Sequence, residues 1–325
     1  MWCGHRDDSV RGFCQKVHSK DHAVAASTSS VHAGDDLGDR ATPLSGTQLS
    51  FDAAARSLHV SVSALSQRLT GLERSVGHPV VTRGRPVRVT EPGRAVLKLA
   101  REIDWLLTEH ERSAGRPTTL TLAVNADSLS TWFAPMLRWF ARAEVLIDLR
   151  IEDQDRTAQL LERAEVVAAV STRAEPPTGC RAAPLGRMRY LPACAPELLP
   201  PDGLPADGLT EWLADTPTLR FDADDALPDA FAQLQGLSPG RLRAHLVPSN
   251  REYLDAVRAG LGWSVLPEAQ VADDLVTGRL VRLPTEATVD VALHWHRWRV
   301  GSDLLDAMDD EVRRCAARAL HGYPG

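Results

Sequence analysis

The sequence predicts an α/β protein with an all-α, winged-helix N-terminal part, and three observations carry that expectation. Two short helical stretches separated by a three-residue break stand just before a basic, strand-like stretch, all between residues 51 and 90. A longer amphipathic stretch follows over residues 91–110. From residue 119 onward the apolar pattern alternates between strand and helix periods, the mark of a parallel sheet with helical crossovers.

The elements follow in chain order. Residues 51–58 read Phe-Asp-Ala-Ala-Ala-Arg-Ser-Leu, helical by propensity, with Phe51, Ala54, Ala55 and Leu58 on one face. His59-Val60-Ser61 breaks that helix, and Ser61 or Ser63 can cap a second one over residues 62–76. Its Leu65, Leu69, Leu72 and Val76 recur at steps of four, three and four, while Ser63, Ser66, Gln67, Thr70 and Arg74 turn outward. Gly77 and the basic stretch 79–90 complete the pattern of a helix-turn-helix with a wing. In the helix over residues 91–110, Val96, Leu99, Ile103, Leu106 and His110 fall on alternating three- and four-residue steps. A core-facing helix gives that period, and so does a coiled-coil seam; the charged remainder favours a partner helix.

After a break at residues 115–118 the expected order is strand 119–124, helix 128–142, strand 145–151, helix 154–163 and strand 166–170. The pattern recurs more loosely from residue 187 to 283, with Gly- and Pro-rich breaks at 200–208 and 236–240. Two α/β lobes with a cleft between them fit this pattern. The organisation is then a poorly ordered extension over residues 1–46, a winged helix-turn-helix over 47–90 and a linker or dimerisation helix over 91–115. An effector-binding part spans 116–318, with one lobe from 116–186 and 287–318 and the other from 187–286.

Composition narrows the class. The chain has 325 residues, 43% of them hydrophobic, enough for two or three cores. Its net charge is −6, yet residues 51–101 carry nine Arg or Lys against three acids, so that stretch is +6 and the rest −12. Such polarity suits a polyanion-binding module joined to one that meets no polyanion. Five cysteines without C-x-x-C spacing indicate neither a disulfide scaffold nor a zinc ribbon and fit a reducing compartment. With no apolar run among the first thirty residues and no long apolar stretch anywhere, the expectation is a cytoplasmic protein without membrane contact. Cys3, His5, Cys14, His18 and His22 have ligand chemistry but lack the tight pairs of structural zinc, so no metal or cofactor is expected.

Particular motifs carry a resemblance. The run from Phe51, with Ala-Ala-Arg, then Ser63-Ala-Leu-Ser-Gln67 and Leu72-Glu73, resembles the reading segment of LysR-type transcriptional regulators. Thr90-Glu91-Pro92-Gly93 resembles the Thr-x-x-Gly that opens the linker helix of that family. Asn125-Ala126-Asp127-Ser128, Glu152-Asp153, the run 165–170, Arg220-Phe221-Asp222 and Trp295-His296-Arg297 resemble the LysG and ArgP branch, which regulates basic amino-acid export. The resemblance covers residues 50 to 318 and implies a periplasmic-binding-protein-like effector domain. It implies as partners double-stranded DNA, lysine or arginine, a second copy of the chain as dimer or tetramer, and RNA polymerase. It also implies an apolar helix before Phe51, and residues 30–49, interrupted by Gly34, Gly38, Pro43 and Gly46, show no such helix.

The candidate DNA contacts are Ser61, Ser63, Ser66 and Gln67 toward bases and phosphates, Arg68 toward phosphate, and Arg83, Arg85 and Arg88 in the wing. Each is otherwise an ordinary solvated side chain. The candidate effector contacts lie at strand C-termini and helix starts. Asn125 stands at the first such junction, where Ser128 and the amides after it can hold a carboxylate, and Asp127, Glu152 and Asp153 can hold ammonium groups. Ser171, Thr172 and Asp222 are weaker candidates, and Ser249, with Asn250, can face the cleft from the other lobe. Ser128 and Ser249 are equally helix caps, and Glu152-Asp153 equally a solvated turn. His294 and His296 on an alternating strand suggest a core or hinge role. With no Ser/His/Asp order, Walker loop or G-x-G-x-x-G, no catalytic machinery is legible, and an enzyme is not expected. A two-lobed solute-binding protein and a regulator with an unrelated effector are the competing readings.

Overall fold

The computed structural model describes residues 51–57, 59–82, 87–112, 118–151, 154–238 and 240–322. The expectations for residues 1–50, and those placed on Leu58, Arg83, Arg85, Glu152 and Asp153, lie outside the described residues. The chain divides into two compact units between Glu111 and Arg112.

In the first unit, helix α1 (Phe51–Ser57) and helix α2 (Val62–Val76) precede a two-stranded antiparallel ribbon, β1 (Val81–Thr82) and β2 (Arg88–Val89). The tight break between the helices is closed by Val60 N donating to Ala55 O at 3.0 Å, with His59 at φ 50. Of the two candidate caps, Ser61 is the one used: its Oγ accepts from Ala64 N at 3.2 Å. Gly77, at φ 78, ends α2 in the left-handed conformation that glycine adopts without strain. The Glu73 carboxylate then accepts from Val80 N at 3.1 Å, tying the ribbon to the helix.

Helix α3 (Glu91–Arg112) starts at a built corner. Thr90 Oγ1 donates to Pro79 O at 2.6 Å and accepts from Gly93 N at 3.2 Å. A Cβ on Gly93 would stand 1.9 Å from Val80 O, so only glycine lets α3 lie this close to the ribbon. Along α3, Trp105 is buried, whereas Leu99 and Leu106 of the expected seam are 56% and 46% exposed and Val96 and Ile103 half-buried. The seam is therefore not consumed by its own unit. On α2 no residue is fully buried, and Leu65, Leu69 and Leu72 are only half-covered.

The second unit begins with β3 (Thr119–Val124) and departs from expectation at once. Instead of one helix over 128–142 there are two short ones, α4 (Ala126–Ser130) and α5 (Met136–Arg142). Pro135 lies between them; it has no N–H to continue a helix and caps the second one instead. Phe133 N donates to Ser128 O at 2.9 Å across the turn, burying Trp132, Phe133, Met136 and Phe140. Then come β4 (Leu146–Ile151), α6 (Gln154–Glu162), β5 (Ala168–Ser171) and the fifteen-residue β6 (Cys180–Cys194). They are followed by α7 (Leu209–Asp215), β7 (Thr218–Arg220), α8 (Leu227–Leu234), β8 (Ala244–Leu246), α9 (Asn250–Arg258), β9 (Ser264–Pro267), α10 (Glu268–Thr277), β10 (Val281–Arg282), β11 (Val289–Trp298) and α11 (Asp303–Ala319).

Strands β4, β3 and β5 are parallel neighbours, as the alternation predicts. Beyond them the sheet is antiparallel. β11 pairs with β5 through its second half and with β6 along its whole length, and β6 goes on to pair with β9 and β10. The two lobes thus share one seven-stranded sheet, and the point where the sequence suggests a boundary, residue 186, lies inside β6. There the register shifts between Leu293 and His294, opposite Gly186 and Pro184. This local bulge loosens a continuous strand pair where the two lobes meet. The second lobe adds the parallel pair β7 and β8 and a core of Ala193, Leu219, Tyr253, Leu254, Val257, Leu266, Val271 and Leu280.

Candidate functional site

In the first unit, Ser63, Gln67 and Arg68 stand exposed on one face of α2, with Ser66 half-buried beside them. The Ser61 hydroxyl is committed to the helix cap and also lies 3.0 Å from Ser63 Oγ, so it is less free than its neighbours to reach a base. Arg88 is exposed on the ribbon, and Arg74 and His78 are exposed at the end of α2.

In the second unit, Asp127 and Asp225 lie near enough to act on each other electrostatically. Asp127 sits on α4 just past the end of β3, and its Oδ2 accepts from the Tyr190 hydroxyl at 2.9 Å. Tyr190 lies on β6, one of the two strands shared by the lobes, so this bond ties the first lobe to the shared pair. Burial pushes the Asp127 carboxyl up to about 6; the Tyr190 hydrogen bond opposes that shift, and the charge of Asp225 adds to it. Tyr190 is itself pushed well above the ordinary tyrosine value, by burial first and then by the charge of Asp127. Asp225 comes from the loop between β7 and α8. Its carboxylate accepts from Phe221 N at 3.0 Å and Leu227 N at 3.1 Å, and burial still raises it above the usual carboxylate range. Tyr253 on α9, raised chiefly by burial, donates to Leu219 O at 2.9 Å and meets Ser264 Oγ. Both aspartates act on its ring hydroxyl electrostatically. Arg220 pairs with Asp229 through Nη2 at 2.6 Å, while its Nε is buried with no hydrogen-bond partner among the described residues. Asn250 Nδ2 donates to Ser130 Oγ at 3.4 Å, a polar contact from one lobe to the other.

Of the effector candidates among the described residues, Asp127 is the one brought into this cluster. Asn125 is adjacent, but its side-chain oxygen accepts from Ser128 N at 3.2 Å, so that oxygen is already engaged as the helix cap. The Ser128 hydroxyl is fully buried and meets no partner among the described residues. Ser171 is buried, and its Oγ accepts from Arg173 N at 3.1 Å; Thr172 beside it is half-buried. Asp222 is exposed and accepts from Asp224 N at 2.9 Å in a turn of its own. Ser249 forms no side-chain cap on α9 and is bound to Glu252. The sequence reading missed Asp225, Tyr190 and Tyr253. Asp225 is the last of three aspartates in Asp222-Ala223-Asp224-Asp225, and only the turn decides which one points inward. Tyr190 carried a usable signal, a polar-tipped aromatic inside an apolar strand.

His294 and His296 sit on β11, paired with Ser171 and Ala169 of β5. His296 is fully buried, and burial lowers its pKa. Among the described residues no group of three or more His, Cys, Asp or Glu is placed to hold a metal, and no helix is long and apolar enough to cross a membrane.

A helix-turn-helix unit joined to a two-lobed, acid-lined sensor defines a ligand-responsive DNA-binding regulator. Residues 46–94 match the bacterial regulatory helix-turn-helix protein, lysR family, and residues 113–316 match the LysR substrate binding domain. The chain belongs to the LysR family of transcriptional regulators, which are not enzymes, and within it is of the LysG and ArgP kind. It is 42% identical over 278 residues to the lysine export transcriptional regulatory protein LysG of Corynebacterium efficiens, covering 83% of this chain and 94% of that one. The crystal structure of ArgP from Mycobacterium tuberculosis matches with 38% identity and a TM-score of 0.75 over 84% of this chain and 94% of that one. Full-length LysG from Corynebacterium glutamicum with bound effector Arg matches with 38% identity and a TM-score of 0.72, over 84% of this chain and 94% of that one.

Proposed function

We propose that this regulator senses a basic amino acid, lysine or arginine, and controls genes of amino-acid export or metabolism from the cytoplasm. The observation that carries the reading is the enclosed carboxyl pair Asp127 and Asp225, given by the two lobes and joined to no ion-pair partner among the described residues. Enclosed carboxylates without a cation are costly, and a ligand with positive groups removes that cost. The bound effector Arg of the glutamicum LysG supports the same chemistry. Three buried free cysteines, Cys180, Cys194 and Cys315, suit a reducing compartment.

In this reading residues 47–90 meet the operator, 91–115 form the linker and dimerisation helix, and 116–318 form the sensor, with lobes over 116–186 plus 287–318 and over 187–286. Ser63, Ser66 and Gln67 face bases, and Arg68, Arg83, Arg85 and Arg88 neutralise phosphate. Two readers are joined through the exposed Leu99 and Leu106 of α3. The open edge of β4, with Leu146, Ile147 and Ile151 exposed, offers a second contact through which dimers become a tetramer, and the DNA-bound assembly meets RNA polymerase.

Calorimetry on the full chain tests the effector. Lysine or arginine binds at least tenfold more tightly than norleucine, which keeps the carboxylate, α-amine and stem of lysine but lacks the terminal charge; one charge-assisted hydrogen bond contributes about 1.5–3 kcal/mol. Equal affinity for lysine and norleucine removes the basic-amino-acid assignment and leaves the DNA-binding role standing.

A further inference from the structure

The Asp127 carboxyl is short of one thing that a buried carboxylate needs. Among the described residues it has a single hydrogen-bond donor, the Tyr190 hydroxyl, and no ion-pair partner. The groups that act on it from the packed elements are Tyr190 of β6, Asp225 beyond β7, and Tyr253 of α9. None of them brings a positive charge. Arg220, the nearby guanidinium, is already paired with Asp229, and its field falls on Asp225 and Tyr253. One residue along from Asp127, the Ser128 hydroxyl is fully buried and unpartnered among the described residues, a second polar group left waiting in the same turn. In acid a proton neutralises this carboxyl, and a ligand's cation can take that proton's place.

We propose that Asp127, held by the Tyr190 hydroxyl, is a cation-exchange site in which the positive group of the effector enters as the Asp127 proton leaves to solvent, so that occupancy of the sensor falls in acid. The inference rests on the effector reading above and adds its regulation. The proton balance is simple: the empty, protonated carboxyl and the free cation become a carboxylate–cation pair plus one proton taken up by buffer. Because the empty carboxyl titrates at about 6, affinity is nearly flat above pH 7 and about tenfold weaker at pH 5. Tyr190 is a positioning residue in this exchange. Its hydroxyl donates to the carboxylate and favours the ionised form, so losing it shifts the exchange to higher pH.

The experiment is calorimetry of lysine with the full chain from pH 5 to pH 8, in buffers of low and high ionisation enthalpy, so that protons released per lysine are read directly. Release close to one proton at pH 5, falling toward zero by pH 8, together with the tenfold loss of affinity, is the expected result. Asp127→Asn removes the release and flattens the affinity against pH. Tyr190→Phe keeps the release but moves its midpoint upward, which a merely structural loss of packing would not do. Lysine binding at pH 8 with no proton release at pH 5 overturns the exchange and leaves the effector reading intact. Failure of both lysine and arginine to bind at pH 8 overturns the effector reading, and the exchange with it.

Discussion

Two groups of aspartates in the sensor are treated in opposite ways. Beneath α11, Asp309 is held by Arg297 Nε at 2.8 Å and by Trp295 Nε1 at 2.7 Å, with Arg181 beside it, and Arg297 is itself almost wholly buried. In the second lobe Asp274 follows the same plan. Burial alone would push its carboxyl up, but Arg258 and Arg279 together hold it below the usual range. Asp127 and Asp225 are only half-buried, and among the described residues hydroxyl and backbone N–H groups are their hydrogen-bond donors; both are raised. Asp309 and Asp274 carry their counter-charge in the fold, whereas in the proposed reading Asp127 and Asp225 leave that place for a ligand.

If that contrast is right, asparagine has opposite effects at the two places. The largest is at Asp309. Asp309→Asn leaves the Arg297 guanidinium in the core with Asp306 as its one acid and backbone carbonyls as its other acceptors, and a loss of about 3 kcal/mol in urea unfolding is expected. A loss below about 1 kcal/mol would show that the α11 cluster is no more charge-dependent than the surface.

Asp127→Asn goes the other way, and the sign follows from linkage. The folded carboxyl titrates at about 6 and the unfolded one near 3.8, so the unprotonated form is disfavoured by folding. Its contribution is fully present below about pH 4 and lost as pH rises through 6. The shift amounts to about 2–3 kcal/mol. The variant, which cannot ionise, is therefore more stable than the parent at pH 7.5 by about 2 kcal/mol and matches it near pH 4. Unfolding at the two pH values decides this, and equal destabilisation at both would place Asp127 with the structural acids.

The same contrast explains what the sequence could reveal. Fold class, the helix-turn-helix with its wing, and the parallel β4, β3, β5 order follow from local period and turn residues, which act within a few positions. The seam of α3 was legible as a period, but its exposure is a property of packing, and the break at Pro135 was written in the sequence and passed over. The strands shared by the lobes were harder. β6 and β11 are more than ninety residues apart, and nothing local in Cys180–Cys194 says that it pairs with Val289–Trp298. The cleft suffered most. Asp127 stands at a strand end and could be named from that alone, while Asp225 and Tyr190 reach the site through long-range pairing and one turn. The resemblance to LysR-type regulators supplied the two-lobed sensor that local signals only suggested.

The smallest effect on stability is expected at Asp225, where it sharpens the contrast within the cleft itself. Unlike Asp127, this carboxylate is met by two backbone donors, Phe221 N and Leu227 N, which offset part of the cost of its burial. An asparagine oxygen can keep one of those bonds, so Asp225→Asn should change the free energy of unfolding by no more than about 1 kcal/mol. Its charge nevertheless raises Asp127, so removing it lowers the pH at which Asp127 titrates. Lysine affinity falls at pH 8, because one of the two acids that meet the ligand is gone, while the acid sensitivity that remains moves to lower pH. A titration of lysine binding against pH for the variant separates these outcomes. An unchanged midpoint with full affinity would show that Asp225 neither meets the ligand nor acts on Asp127, and would leave Asp127 as the single acid of the site.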